Sequence, residues 1–410
     1  MKQNNIFIIG GGAAGIVAAI SARRLGANVT ILERNPRIGK KILATGNGRC
    51  NYTNINTEVA HYSGNNPDFV KEILAQFTVS DTINFFTKLG ISPLIEDKGK
   101  VFPRSEQASS ILDVFLYELN ELGVRLKTDT LVKAIHRQKG KYLITTDNGE
   151  EFIADKVIIT TGGKAMPSSG SDGRGYDLAE GLGHSTVEIF PALVQLKLAG
   201  DFFKQIAGVK IVGTAELILQ DKILSQDRGD ILFTNYGISG PPILQLSRLA
   251  GQLLKDGAEP ELKISLIDNL TAEALKNDLE NRWQTKPDKP LDFSLVGLIN
   301  KRLIPIILKN AGITKLKKPV STLTPAEQAR ILNSLTDFRL KIRGTKGFTS
   351  AQVTAGGINT DEINPLTLES KINKGLYFAG EIIDIDGECG GYNLQWAWSS
   401  GYIAGQNAAY

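Results

Sequence analysis

Gly10, Gly12 and Gly15 stand in the order Gly-x-Gly-x-x-Gly, and an acidic residue, Glu33, follows 18 positions after the last of them. Each part has a chemical use. Gly10 permits a tight turn, Gly12 lets a pyrophosphate approach the backbone, and Gly15 lets a helix lie close on a strand. Free N–H groups and the positive end of the helix dipole at such a turn hold phosphates. A carboxylate at Glu33 accepts hydrogen bonds from a ribose diol and disfavours a 2′-phosphate. The alternative is a glycine-rich turn with no ligand, and the flanking elements decide between the two.

Those elements agree with a dinucleotide site. Ile6-Phe7-Ile8-Ile9 is an apolar run that suits a strand buried on both faces, 13–25 is an alanine-rich helix with Gly26 placed to end it, and 29–32 is a second buried strand leading into Glu33. Further on, helices are expected over 67–89 and 110–122, and strands over 125–127, 142–146 and 157–161. A glycine- and serine-rich loop fills 168–175, and a short helix 176–182 follows. Beyond Pro191 the texture changes to short β-like runs at 209–212, 215–219, 231–233 and 262–266, with helices over 243–254, 271–283 and 295–310. Thr324-Pro325-Ala326-Glu327 has the form of a capped helix start. Tyr377-Phe378-Ala379-Gly380 then resumes the buried-strand-plus-glycine style of the N-terminus, so the middle of the chain reads as an insertion.

Composition bounds the classes. With 410 residues at ~150 per domain the chain holds roughly two to three domains. Apolar residues at 42% and charged residues at 22% exclude a disordered or fibrous chain. Two cysteines, Cys50 and Cys389, form neither a disulfide framework nor a four-thiolate zinc site, and His61, His136 and His184 add no ligand spacing, so no metal is expected. Lys2 ahead of the uncharged stretch 6–20 resembles a secretion signal, but four glycines interrupt it and it is shorter than the ~18 residues of a membrane span. The expectation is a soluble, cytoplasmic protein with no membrane partner.

No second strand-flanked Gly-x-Gly-x-x-Gly appears, so a dedicated nicotinamide domain is not expected. Gly380-Glu381, after a late strand, is where two-domain flavoproteins close over the ribityl chain, which favours FAD. Gly39-Lys40-Lys41-Ile42-Leu43-Ala44-Thr45-Gly46-Asn47-Gly48-Arg49-Cys50-Asn51, together with Gly380-Glu381-x-x-Asp384-x-Asp386-Gly387 and Gly390-Gly391-Tyr392-Asn393-Leu394-Gln395-Trp396-Ala397, resembles the BaiN/RdsA family of FAD-dependent oxidoreductases essentially from end to end. The resemblance implies an α/β protein in three parts. A Rossmann-like, GR2-type FAD-binding domain comes from both chain ends (1–190 and 347–410), a barrel-like β domain is inserted (191–267 and 319–346), and a helical insert lies within that (268–318).

Carried over by position, Gly10, Gly12, Ala14, Gly15, Glu33 and Arg34 would hold the ADP half of FAD. Lys41, Gly46, Gly48, Arg49, Cys50 and Asn51 would line the path from phosphate to flavin. Thr161 and Gly162, Gly380 and Glu381, and Gly391, Tyr392, Asn393 and Leu394 would cover the remainder. Lys41 and Arg49 suit a pyrophosphate, and N–H groups at 391–393 suit negative charge on a reduced ring. Candidates for chemistry are Arg49, Cys50, Asn51 and Cys389. For the two cysteines a redox pair or proton-donating thiol stands against small buried residues beside the cofactor, and the second reading is favoured because free cysteine commonly behaves as a small hydrophobe. His184 reads as a helix C-cap and His61 as a minor candidate for an acid. Of Trp396 and Trp398, two apart, one is expected in the core and the other nearer the ligand.

A net charge of +4 hides an asymmetry. Between Lys301 and Lys346 there are 11 basic residues against Glu327 and Asp337, so this window carries +9 and the rest of the chain −5. Such a window is either a phosphate footprint for RNA or a solvated basic face. The resemblance implies redox chemistry on FAD with NAD(P)H as transient reductant. Family substrates are a conjugated C=C in bile-acid-like steroids, uridine in ribosomal RNA, and small amino ketones that are oxidised. The basic window tilts the reading toward uridine reduced to dihydrouridine in ribosomal RNA. The alternatives are a steroid enone reductase or aminoketone oxidase, a flavin- and folate-dependent RNA methyltransferase, and a non-catalytic RNA-binding scaffold.

Overall fold

A strand that is apolar on both faces needs neighbours on both edges, and β1 (Asn5–Ile9) has them in the computed structural model, which describes residues 4–410. Lys2 lies outside the described residues. β1 leads into α1 (Ala13–Arg24) and β2 (Asn28–Leu32). Then come α2 (Phe69–Gln76), α3 (Val79–Lys88), α4 (Ala108–Glu121), β3 (Arg125–Lys127) and β4 (Lys156–Ile159). The single helix expected over 67–89 is two. Thr78 interrupts it as an N-cap, its hydroxyl accepting from Asp81 N at 3.2 Å while Asp81 Oδ2 accepts from Thr78 N at 2.9 Å. This reciprocal box starts a new helix at Val79.

The chain then builds a second unit with strands β5 (Leu196–Leu198), β6 (Lys210–Leu219), β7 (Lys222–Thr234), β8 (Gly237–Ser239), β9 (Glu261–Ser265) and β10 (Phe338–Thr345). Its longer helices are α5 (Pro241–Lys255), α6 (Ala272–Thr285), α7 (Ile304–Asn310) and α8 (Pro325–Thr336). It returns with β11 (Leu376–Phe378) and ends in α9 (Tyr392–Ala409). Two compact units result, 1–191 with 348–410, and 192–347.

In the first unit the sheet order is β11–β4–β1–β2–β3, all neighbours parallel, with Ile8 opposite Ile158 on one side and Ile31 on the other. The central run is buried on both faces, as its sequence requires. α1 and α9 pack closely, because a Cβ at Gly401 or Gly405 would run into the carbonyls of Ala14 and Ala18. Of the two tryptophans, Trp396 borders Gly380, one of the residues expected at the cofactor, and Trp398 borders Tyr52. Trp396 and Trp398 are both buried, and each indole N–H reaches a backbone carbonyl, Gly380 O at 3.1 Å and Tyr52 O at 2.8 Å. A buried indole N–H needs an acceptor, and two separate loops supply one.

In the second unit six strands close a barrel in the order β5–β8–β7–β6–β9–β10. Phe338, Leu340 and Ile342 of β10 point inward and Arg339, Lys341 and Arg343 outward. The segment 268–318 shares one hydrophobic cluster with the barrel: Leu275, Leu279 and Trp283 lie with Ile264 and Leu335. The helix expected over 295–310 is confined to α7, which starts with Pro305 in its first turn. Deeper inside a helix that proline would remove a hydrogen bond and clash with the preceding turn. The capped start at Thr324 is present, with Glu327 N donating to Thr324 Oγ1 at 3.2 Å. Among the described residues no helix is long and apolar enough to cross a membrane.

Candidate functional site

The site is built around two helix starts in the first unit. Gly10 has φ +104 and a Cβ there would stand 2.8 Å from Thr160 O, so the turn after β1 admits only glycine. Gly12 caps α1 without a side-chain hydrogen bond, no acidic residue occupies the first turn, and nothing lies within 4 Å of where its Cβ would be. The first-turn N–H groups, those of Ala14 and Gly15 among them, are left for a ligand or solvent. Gly15 lies against Gly10 O and Thr160 Oγ1, where no side chain fits.

Glu33, buried at the end of β2, ties this turn together. Its Oε2 accepts from Gly11 N at 2.8 Å, and its Oε1 accepts from Asn35 N at 2.8 Å and Asn35 Nδ2 at 2.7 Å. Asn35 Nδ2 also donates to Ser169 O at 3.0 Å, and Arg34 pairs with Asp172, which Arg174 approaches at 3.3 Å. Residues 169–174 are thereby held over the end of β2. Asn35 and Asp172 carried no signal in the sequence, because their partners are defined only once the chain is folded.

The loop 39–51 contributes differently from the expectation. Lys41 is not a free cation: its Nζ lies 2.6 Å from Glu381 Oε2, and Glu381 Oε1 accepts from Thr354 N at 2.9 Å. Arg49 pairs with Glu96, lies 3.1 Å from Glu106 Oε2, and stacks over Phe102 at 4.1 Å. Its hydrogen bond holds the Glu96 carboxyl below the usual range. Both cations expected to face phosphates are therefore already balanced by carboxylates. Gly46 bends the loop so that a Cβ would meet Asn51 N at 2.7 Å, while Gly48 is open.

Cys50 has the surroundings of the favoured reading, a small buried residue. It is fully buried, and burial pushes its thiol up to about 12, a hydrogen bond with Thr45 only partly opposing this. At neutral pH it is a protonated small apolar group. Neither Cys50 nor Cys389 is in a disulfide.

The second helix start is Gly391, with φ +104, again without a side-chain cap to α9. A Cβ there would meet Thr53 O at 2.5 Å and Asn51 Oδ1 at 3.0 Å. Asn51 Oδ1 is buried and has no hydrogen-bond partner, and the same holds for Thr161 Oγ1. Gly162 borders Ser171, whose hydroxyl would lie 2.7 Å from an added Cβ. Gly380 N donates to Ser400 Oγ at 2.9 Å. Asn393 is used within its own loop, accepting from Gly387 N at 2.8 Å and donating to Gly387 O at 2.7 Å, and Leu394 packs on the core. Tyr392 stacks on His61.

His184 closes the helix 174–180 as its sequence suggested: Gly183 has φ +88, Gly183 N donates to Glu180 O at 2.9 Å and His184 N to Ala179 O at 3.1 Å. Its ring in addition bridges Glu362 Oε2 at 3.1 Å and Ser370 Oγ at 2.8 Å, and burial holds it below the usual imidazole range.

Uncapped helix starts at Gly12 and Gly391, together with unpartnered acceptors at Asn51 and Thr161, fit a dinucleotide that brings its own acceptors and donors. A parallel sheet with a glycine turn between β1 and α1 and an acid ending β2 defines a Rossmann-type dinucleotide-binding unit, followed in sequence by a six-stranded barrel.

The chain belongs to the family described as HI0933-like protein Rossmann domain, whose model matches residues 4–407. It is 42% identical over 409 residues, 99% of each chain, to a 3-dehydro-bile acid delta(4,6)-reductase of Clostridium scindens. It is 31% identical to the ribosomal RNA dihydrouridine synthase of Escherichia coli, over 99% of this chain and 98% of that one. The protein of the same description in Haemophilus influenzae is also 31% identical, over 96% of each chain.

Proposed function

We propose that this protein is an FAD-dependent oxidoreductase that reduces a conjugated C=C, and that its substrate is uridine in ribosomal RNA. The observation that carries the cofactor reading is the pair of uncapped helix starts, Gly12 and Gly391, placed in one unit with Glu33 and Asn51. FAD, when bound, supplies hydride, drawn from NAD(P)H, to the electrophilic carbon of the conjugated system.

The protein's residues do the rest. Ala14, Gly15 and their neighbours in the first turn of α1 hold the pyrophosphate through N–H groups and the helix dipole, and Glu33 takes the ribose diol. The Lys41–Glu381 pair adds polar contacts at no net charge, so the phosphates are met by backbone rather than by a free lysine. The N–H groups of Tyr392, Asn393 and Leu394 at the uncapped start of α9 would stabilise negative charge on a bound flavin, and Asn51 Oδ1 would accept a hydrogen bond from it. Arg49, held by Glu96 and Glu106, fixes the loop that presents Asn51. Thr161, Gly162 and Gly380 complete the wall.

The RNA part is supported by two relatives and by the barrel surface. Arg339, Lys341 and Arg343 face outward on β10, with Lys197 on the adjacent strand β5. Arg339 is taken up by Asp221 and Asp337 and Lys341 stands opposite Glu261, but Lys197 and Arg343 have no carboxylate partner among the described residues. A second reading, a small-molecule ring enone, is favoured by the relative at 42% identity.

Mass analysis of ribosomal RNA tests the choice. Deletion of the gene is expected to remove one dihydrouridine, restored by the wild-type gene and not by a Gly12→Asp version. An unchanged modification map refutes the RNA substrate. Reoxidation of the reduced flavoprotein by a 3-oxo-Δ4 steroid would then identify the small-molecule reading.

A further inference from the structure

A reduced C=C needs a proton as well as a hydride, and one half-buried histidine stands at the second helix start. His61 lies at the head of the short strand Tyr62–Ser63, which pairs with Asp386–Gly387 just before Gly391. Its ring stacks on Tyr392, the first residue of α9, with centroids 4.3 Å apart and planes inclined by 19°. Its Nδ1 is 2.9 Å from Glu388 Oε2, and Glu388 N donates to His61 O at 3.0 Å. Tyr62 OH donates to Tyr392 O at 3.0 Å, and Asn393 Nδ2 reaches Gly387 O and Glu388 O at 2.7 and 3.2 Å. Two chain segments 327 positions apart are thus clasped around one imidazole that remains 29% exposed. With Nδ1 committed to a carboxylate, Nε2 is the nitrogen left to act, and it makes no hydrogen bond among the described residues.

We propose that His61 is the proton donor of the reduction, giving the Nε2 proton to the α-carbon of the conjugated system while Glu388 holds the imidazolium through Nδ1. The inference rests on the reading of Gly391 as the flavin end of the site. The π bond breaks as hydride adds to the β-carbon, and its electron pair takes the Nε2 proton at the α-carbon. Two C–H bonds form, the substrate gains two electrons and the bound cofactor loses two. The neutral imidazole recovers its proton from solvent, which its exposure permits. The titratable groups around it are Glu388 at Nδ1, Tyr392 beneath the ring, and Tyr62, Glu58 and Cys389 in the adjoining segments.

The test separates half-reactions in flavin-loaded wild type, His61→Gln and His61→Ala. Flavin content and anaerobic bleaching by NADPH report the flavin reading itself. Reoxidation is then followed with an unmodified ribosomal RNA transcript, with 2-cyclohexen-1-one, and with ferricyanide, which takes electrons without a proton. The expected result is that both variants bind and reduce flavin, and react with ferricyanide, like wild type. Their reoxidation by the unsaturated acceptor should be slower by roughly 10²-fold, the lower end for loss of a general acid. Added imidazole should partly restore His61→Ala.

Enone reoxidation of the variants at the wild-type rate overturns the proposal. So does loss of flavin confined to the variants, which would make the clasp a staple for the loop. A wild-type protein that holds no flavin, or whose reduced flavin neither unsaturated acceptor reoxidises, overturns the functional reading and the role of His61 with it.

Discussion

Gly12→Asp separates what the first helix start does for a ligand from what it does for the fold. Gly12 has φ −83 and ψ −168, extended backbone open to any residue, and no atom within 4 Å of its would-be Cβ. An aspartate there becomes an N-cap and a favourable charge at the dipole, worth about 0.5–1 kcal/mol over glycine, or about 1–4 °C in Tm. The same carboxylate would stand roughly 5 Å from a bound phosphate, and at an effective dielectric near 20 one pair of like charges then costs about 3 kcal/mol. That is on the order of a 100-fold rise in Kd, before the N–H donors taken by the new cap are counted. The assays are melting of flavin-free protein and flavin titration by fluorescence. The expected outcome is a stabilised chain that binds FAD at least 100-fold more weakly. Binding within threefold of wild type would refute the placement of phosphate at α1, and a lowered Tm would refute the uncapped start. Gly15→Ala serves as contrast, since its Cβ meets Thr160 Oγ1 at 2.6 Å and must damage fold and binding together.

Two further outcomes are expected. Cys50→Ala should leave flavin reduction unchanged, and native Cys50 should resist alkylation at pH 8. Because its folded thiol sits at about 12 against an ordinary 9.0, its contribution to stability is intact below pH 9 and declines as pH rises toward 12. Melting of wild type and variant across that window checks the sign, and a difference that grows with pH would contradict it. Lys197→Glu with Arg343→Glu should weaken binding of a ribosomal RNA fragment and reduce the steepness of log K against log salt by about 1.4–1.8, with Tm unchanged. An unaltered salt slope would remove this face of the barrel from RNA binding.

Much of the first unit was legible because its signals are local. The glycine turn, the buried runs on either side of it and Glu33 fall within the first 33 residues, and each constrains its neighbours through sterics or burial. The Gly390–Gly391 step and the helix after it were legible from the motif around Asn393. What was not legible depends on partners distant in sequence. Lys41 reads as a phosphate ligand until Glu381, 340 positions away, is found against it, and His61 reads as only a minor candidate for an acid until Glu388 closes on it. In the barrel, β7 was visible only at 231–233 because over 225–230 its half-buried face carries Ser225, Asp227 and Gly229 in place of apolar residues, which erases the period-two signal. The helices drawn too long at 67–89 and 295–310 failed at Thr78 and Pro305, where a cap and a ring outweigh the apolar periodicity that continues past them.

The first unit is split in the chain, and this sets an order of events on the ribosome. β1 and α1 emerge early, yet β11 and α9, which complete their sheet and cover the alanine flank of α1, follow residues 192–347. At about 5–20 residues per second that interval is on the order of ten to thirty seconds. The barrel, contiguous in sequence, can mature during the wait, while the nascent N-terminal half exposes an apolar ledge that only the last helix can roof over. Any folding assistance would act on that ledge during the interval in which residues 192–347 are made.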